Sequence, residues 1–336
     1  ASDWSSDVCS SDLKDTDAIM KFIDTYWRKN HILSRDKQLF EWQYGNETDK
    51  LNIIIGVDSD NNIQGMLGFV KYGLSQNQDI ALALWKANPA TGFLGVKILK
   101  YLMENVSHRE IVCPGINLKT TSKIYEHVGM KVGTMVQWYR LADRDEYLIA
   151  KVLDNKIPKV NNYEKKIKLK EVGSIDELRE IFNFEADELQ LQVPFKSEWY
   201  IEKRYFKHPI YRYKIYALVG NDQKATSIIV LRVQDCNDSH ALRWIDYIGD
   251  YENISYITNK LDELMDELDC EYIDVYEAGI KDDILSNAGW LRVEESGNII
   301  PDYFSPFEHR KVDIHYSTSN GDAVLFKGDG DQDRPN

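Results

Sequence analysis

Of 336 residues only four are cysteine, Cys9, Cys113, Cys236 and Cys270, and no two have CxxC spacing. Neither a zinc site nor a dithiol redox motif is indicated. Scattered cysteines in a chain this long read as reduced thiols, and a cytoplasmic setting fits them. No run of about 18 apolar residues occurs, so no membrane-spanning helix is expected. Basic residues are in deficit, with 41 Lys and Arg against 55 Asp and Glu and a net charge of −14. This argues against nucleic acid as a main partner, because phosphate backbones are held by clustered cations. An anionic cofactor remains compatible if backbone N–H groups hold it. There is no G-x-S-x-G elbow and no Ser-His-Asp order, so a hydrolase has no support. "DGDQD" (329–333) alternates carboxylates as calcium loops do. It lacks the glycine and distal glutamate of an EF-hand, so no metal is expected and the segment reads as a polar, flexible C-terminus.

What is present is a globular composition, 43% apolar and 29% charged. The length favours two domains of ordinary size. The opening "SDWSSDVCSSDL" is polar and serine-rich, with neither the charged nor the apolar region of a signal peptide. It resembles translated sequencing-adapter read-through. Residues 1–13, with Cys9, are therefore set apart as a tail without chemistry, and on that reading the genuine N-terminus is missing.

The remainder repeats. "GVDSDNNIQGMLGFV" (56–70) matches "LVGNDQKATSIIVLRV" (218–233) in order: strand, polar turn, strand. "IALALW" (80–85) matches "HALRWI" (240–245), and "IYEHVGM" (124–130) matches "ILSNAGW" (284–290), with Gly129 and Gly289 160 positions apart. The first copy shows an amphipathic helix at "DTDAIMKFIDTYWRK", a hairpin around "DSDNN", and a third strand at "ALALW". A second amphipathic helix follows, with Leu94, Ile98, Leu99, Leu102 and Met103 on one face. After it come a buried strand at "REIVCPGI" and a helix stopped by Gly129. "TMVQWYRLA" and "YLIAKVL" are expected to close that sheet. The polar, proline-containing "DNKIPKVNNYEKK" (154–166) reads as the seam, giving domains 14–155 and 166–336. "HRKVDIHYSTSNGDAVLFKGD" reads as the closing hairpin of the second copy.

Two motifs carry chemistry. "NPATGFLGVKIL" places Gly92 and Gly95 at the opening of a helix, followed by Lys97 and Lys100. A helix N-terminus has free N–H groups and a positive dipole end, and glycine lets a phosphate approach the backbone closely. The second is Asn117 followed by "KIYEHVGM", an apolar-x-Tyr-x-x-x-Gly run. On these two motifs the chain resembles the GCN5-related N-acetyltransferase (GNAT) family, well over 14 to about 150 and more weakly over about 166 to 320. It departs from the family in the two-residue separation of the glycines, in the lack of a basic or glutamine residue ahead of them, and in Met130 for the usual phenylalanine. The resemblance implies an α+β fold of two tandem GNAT-like domains, each a mixed, mostly antiparallel sheet flanked by helices. It implies acetyl- or another acyl-coenzyme A as cofactor. That group would lie along Trp85, Lys86 and Ala87 at a splayed strand and across Thr91, Gly92, Phe93, Leu94, Gly95 and Val96. Tyr125 would protonate the departing thiolate, and Asn117 would stand near the substrate amine or serve as a turn residue. The acceptor would be a small-molecule amine. "NHILSRDKQLFEWQY" and the C-terminal "FKGDGDQDRPN" also resemble acyltransferase-like proteins of cell-surface polysaccharide genes, which makes an amino sugar the candidate, with Trp42, Tyr44 and His31 as candidate acceptor contacts.

The second copy lacks these parts. Leu285 stands where Tyr125 stands, and Asp250 and Glu252 occupy the phosphate position, where carboxylates repel a pyrophosphate. It is expected to keep the architecture without the cofactor. No residue stands out as general base; His31, Glu41 and His127 are candidates, and each has a plain reading as a surface or capping residue. Cys113 reads as a small buried strand residue rather than a nucleophile. Two rival functions remain open: a non-catalytic binding scaffold of the same fold, and a FemAB-like aminoacyl transferase, whose tRNA substrate the acidic balance disfavours.

Overall fold

A computed structural model describes residues 7–46, 48–160, 167–304 and 306–335. Its strands are β1 (Asp7–Asp12), β2 (Lys50–Val57), β3 (Ile63–Lys71), β4 (Ile80–Ala87), β5 (Ile111–Pro114), β6 (Lys131–Thr134), β7 (Val136–Leu141) and β8 (Lys168–Glu171). There follow β9 (Lys214–Val219), β10 (Ala225–Cys236), β11 (Ser239–Gly249), β12 (Cys270–Ala278), β13 (Leu291–Arg292), β14 (Tyr303–Phe304), β15 (Phe307–Glu308), β16 (His315–Thr318) and β17 (Leu325–Phe326). One sheet runs β1-β2-β3-β4-β5-β16-β6; the other runs β13-β7-β12-β11-β10-β9-β8, with β17 added to β12. Within each, β4–β5 and β11–β12 pair in parallel and the other pairs are antiparallel. This is the α+β architecture of two mixed, mostly antiparallel sheets flanked by helices.

The sheets cross the seam expected at 154–166. β7, from the first copy, lies between β12 and β13. β16, from the second copy, lies between β5 and β6. Each half thus gives its closing strand to the same position in the other sheet. "HRKVDIHYSTSNGDAVLFKGD" is accordingly no hairpin of one sheet: β16 and β17 serve different ones. "YLIAKVL" forms no strand; the Glu271 carboxylate gathers the N–H groups of Leu148, Ile149 and Ala150 at 2.6, 3.0 and 3.1 Å instead. Of the seam, residues 161–166 lie outside the described residues.

Two other expectations are corrected. Residues 1–6 of the opening segment lie outside the described residues, but Asp7–Asp12 is an edge strand paired with β2, and the buried Ser11 hydroxyl donates to Ile53 O at 2.9 Å. The C-terminal "DGDQD" is packed rather than free: Asp329, Asp331 and Asp333 are all buried. Lys196 and the Tyr72 hydroxyl bind Asp329 at 3.0 and 2.9 Å, Arg232 binds Asp333 at 2.8 Å, and Arg334 binds Asp331.

Local signals hold where periodicity is strong. Leu94, Ile98, Leu99 and Leu102 of the helix Leu94–Asn105 are buried, with Met103 packed at their margin. This helix lies close on the sheet because β2 and β3 present Gly56 and Gly65 beneath it. A Cβ there would stand 2.7 Å from Leu94 Cδ1 and 2.8 Å from Ile98 Cδ1. The helix Ser122–His127 ends at Gly129, whose φ of +87° lets Met130 N return to Tyr125 O at 3.0 Å. Gly289 (φ +82°) and Trp290, which donates to Leu285 O at 3.0 Å, repeat this C-cap in the second half.

Candidate functional site

β4 and β5 pair only at Ile80–Ile111 and Ala81–Val112, then part. β4 also carries one residue more than β3 between Ala83 and Lys86, with Leu84 at φ +52°. Such a bulge bends a strand and re-aims its side chains; a leucine in the left-handed region costs about 1–2 kcal/mol, offset here by its burial in the core. The parted strands open a cavity of about 490 Å³. One wall is Trp85, Lys86, Ala87 and Gly95; the other is Cys113 to Asn117 with Thr120, Thr121, Ile124 and Tyr125. Tyr125, Asn117, Trp85, Lys86, Ala87 and Gly95 therefore meet in one space.

Hydrogen bonds and ring contacts tie these walls together. Trp85 Nε1 donates to Gly95 O at 3.2 Å, and the Trp85 ring meets the Tyr125 ring edge-on at 5.3 Å. Tyr125 Oη lies 3.1 Å from Cys113 Sγ. Burial pushes the phenol well above its usual 10 and the Cys113 thiol up to about 12. Both keep their protons near neutrality, so Cys113 presents no thiolate and Tyr125 has a proton to give. Asn117 is exposed at the rim, where its Oδ1 accepts from Lys119 N at 2.9 Å.

The helix Leu94–Asn105 begins beside this cavity. Phe93 at its N-cap supplies no side-chain bond, and no acidic residue stands in the first turn. Gly92 holds φ +60° with open space where a Cβ would be, and a Cβ on Gly95 would come 3.4 Å from Trp85 Nε1. The first amides are left for an anion, at a helix start that neither glycine covers with a side chain. Thr91, Gly92 and Val96 belong to this turn and helix start, outside the cavity lining; Phe93 projects into solvent, and Leu94 faces inward to the core.

The corresponding place in the second half is closed. Asp250 Oδ1 takes the N–H of Glu252 at 3.0 Å, Leu285 is wholly buried, and β17 fills the gap between β11 and β12. There Gly328 N donates to Ile245 O at 2.7 Å and the Phe326 ring packs at 6.2 Å from Trp244.

The acceptor-side candidates do not converge on the Tyr125 cavity. Tyr44 is fully buried, with Gly68 against its ring. Trp42 and Glu41 line a separate cavity with Trp199 and Lys203. His31 is buried, caps Leu33 N at 3.2 Å, and has its pKa lowered to about 4 by burial and the Arg334 charge. His127 is exposed. The sequence reading missed Trp27, Asp331, Gln332 and Arg334, which complete the cavity. Gln332 Nε2 donates to Pro114 O at 3.1 Å, and the Arg334 guanidinium lies 5.7 Å from the Trp27 ring. The sequence signal available for them was the alternation of aspartates before a lone arginine. Among the described residues no cluster suited to a metal ion occurs, and no helix is long and apolar enough to cross a membrane.

No family model matches the chain, and no curated protein does. Solved structures do. A GCN5-related N-acetyltransferase from Anabaena variabilis is 12% identical with TM-score 0.57, over 94% of this chain and 73% of that one. A conserved Enterococcus faecalis protein of unknown function, designated a probable N-acyltransferase, is 8% identical with TM-score 0.56, over 86% and 70%. A Pyrococcus horikoshii protein provisionally assigned as an acetyltransferase is 10% identical with TM-score 0.50, over 95% and 91%. The chain has the fold of the GCN5-related N-acetyltransferases across nearly its whole length.

Proposed function

We propose that the chain is an acyl-coenzyme A-dependent N-acyltransferase acting on a small amine, with one working site in the N-terminal half and acetyl as the group moved. The observation that carries this reading is the juxtaposition across one cavity of an uncapped helix start, the bulged strand at Trp85 and the protonated hydroxyl of Tyr125. The cradle fits the diphosphate of coenzyme A: amides at the start of the helix Leu94–Asn105 would hold it, with Gly95 leaving the space. When bound, coenzyme A supplies an acyl group activated as a thioester. That thioester would let an amine nitrogen bond to its acyl carbon as the C–S bond breaks. Asp331, the buried carboxylate of the cavity and the ion-pair partner of Arg334, would take the proton the amine loses; Tyr125 would give its proton to the departing thiolate; water would restore both. Trp85 orients Tyr125 and excludes water from its edge. An amino sugar is the acceptor we favour.

Calorimetric titration of the full chain with acetyl-coenzyme A tests the donor half of this reading. A single site is expected, weakened at least about tenfold by Gly95→Val, whose side chain would fill the cradle. No binding at millimolar ligand would leave a scaffold of acyltransferase fold and remove the enzyme.

A further inference from the structure

The C-terminal segment divides two cavities. Beyond the Tyr125 cavity lies another of about 430 Å³, and the two share Gly115, Ile116, Gln332 and Arg334. Both halves of the chain build this second space. β10 gives Arg232, β11 gives Arg243, and the end of β17 leads into Lys327; Asp302, Tyr303 and Phe304 face them.

Its cations are enclosed: the side chains of Arg232, Arg243 and Lys327 are 8, 2 and 8% exposed. Enclosed charge is costly unless partnered. Arg232 has Asp333 at 2.8 Å. Arg243 has Asp274 at 2.5 Å and Asp302 at 2.7 Å, and Lys327 binds the same Asp302. One carboxylate thus serves two cations, and among the described residues no hydrogen bond uses Arg243 Nη1. Burial lowers the Lys327 ammonium pKa, and Arg243 beside it acts the same way against the pull of Asp302. Asp302 is held down at about 2 by Lys327 and Arg243 despite burial. The three cations are matched by three carboxylates, Asp333, Asp274 and Asp302, but the Nη1 group of Arg243 is left over at the cavity, and an arriving anion would gain a charge-assisted hydrogen bond there. On the open side Tyr303 and Phe304 give flat faces, with the Arg310 guanidinium over Tyr303 at 4.5 Å and that of Arg243 over Phe304 at 5.1 Å.

We propose that this second cavity is the acceptor site and that the acceptor is a small hydrophilic amine carrying an anionic group, a phosphate or a carboxylate. The anion sits at Arg243 and Lys327, and the amine points past Gly115 and Gln332 toward the Tyr125 cavity. The acceptor assignment rests on the reading of that cavity as the acyl-donor site. The geometry explains why two cavities share one wall: two substrates must meet there, and the wall includes the C-terminal segment that also holds Asp331.

The test is direct binding to the full chain without acyl-coenzyme A. Calorimetry is run with glucosamine 6-phosphate, muramic acid, glucosamine and phenethylamine; the first two separate phosphate from carboxylate recognition. At least one anionic amine is expected to bind about tenfold or more tightly than glucosamine, and phenethylamine not at all. Lys327→Met should abolish the preference. Because that buried change risks the fold, Tyr303→Ala, at an exposed position, is the second variant; it should weaken the anionic amine about fivefold or more and leave acetyl-coenzyme A binding unchanged. Equal binding of charged and uncharged sugars, no binding of any of them, or an unaffected Tyr303→Ala protein overturns the inference. Failure of acetyl-coenzyme A alone to bind would instead sink the donor reading, with the amine result still standing.

Discussion

Glu277→Gln should change how stability depends on pH. Glu277 lies buried on β12, where its carboxylate accepts from Trp138 Nε1 at 2.8 Å and Ile280 N at 3.1 Å. Burial raises its pKa from 4.5 to about 7, outweighing those two hydrogen bonds and the Arg292 charge. Between these values the folded chain keeps a proton that the unfolded chain has released, so stability falls as pH rises through the window and levels above it. At about 1.4 kcal/mol per unit, the whole window is worth roughly 3 kcal/mol. Glutamine keeps an acceptor for Trp138 and cannot ionise. The variant should match the parent within about 1 kcal/mol at pH 4.5 and exceed it by up to about 3 kcal/mol at pH 8. Asp246, raised to about 6 chiefly by burial, titrates with the same sign in both proteins and cancels in the difference. The assay is guanidinium unfolding of both proteins in half-unit steps from pH 4.5 to 8. A stability difference that stays flat across that range would refute the reasoning.

Tyr125→Phe should lower kcat by about 10²–10⁴-fold while shifting stability by no more than about 1 kcal/mol, since among the described residues the hydroxyl's one hydrogen-bond contact is the Cys113 sulfur; thiol-release kinetics and thermal melts check the two parts, and an unchanged kcat removes Tyr125 as the acid. Phe326→Ala should cost about 3–5 kcal/mol, because the ring is wholly buried between Trp244 and Tyr251 with Lys196 5.4 Å from its centre; a loss under about 1 kcal/mol in chemical denaturation would show that the ring does not fill the second opening.

The helix face from Leu94 to Leu102 and the "DSDNN" hairpin were legible because local period and turn chemistry decide them. Asp58 Oδ1 takes the N–H groups of Asp60 and Asn62 at 3.0 and 2.9 Å, so that turn closes on itself. The grouping of Tyr125 with Trp85 and Gly95 was expected from the family resemblance and not from periodicity; one strand, one helix start and one C-capped helix bring the three to one cavity. The exchange of β7 and β16 was not legible: a strand's alternation says which face is apolar and not which strand lies beside it. Nor was the packing of the C-terminus. "GDGDQD" has the composition of a solvated turn, and only the fold brings Lys196 and Arg232 to its aspartates. The acceptor candidates failed for a related reason: Tyr44 reads as an available aromatic until Gly68 is seen against its ring.

The most direct measurement is a crystal of the chain soaked with acetyl-coenzyme A. The account predicts diphosphate density on the amides that open the helix Leu94–Asn105 and sulfur within hydrogen-bond reach of Tyr125 Oη. Density on the far face of the sheet, or in the gap that Phe326 fills, would contradict it.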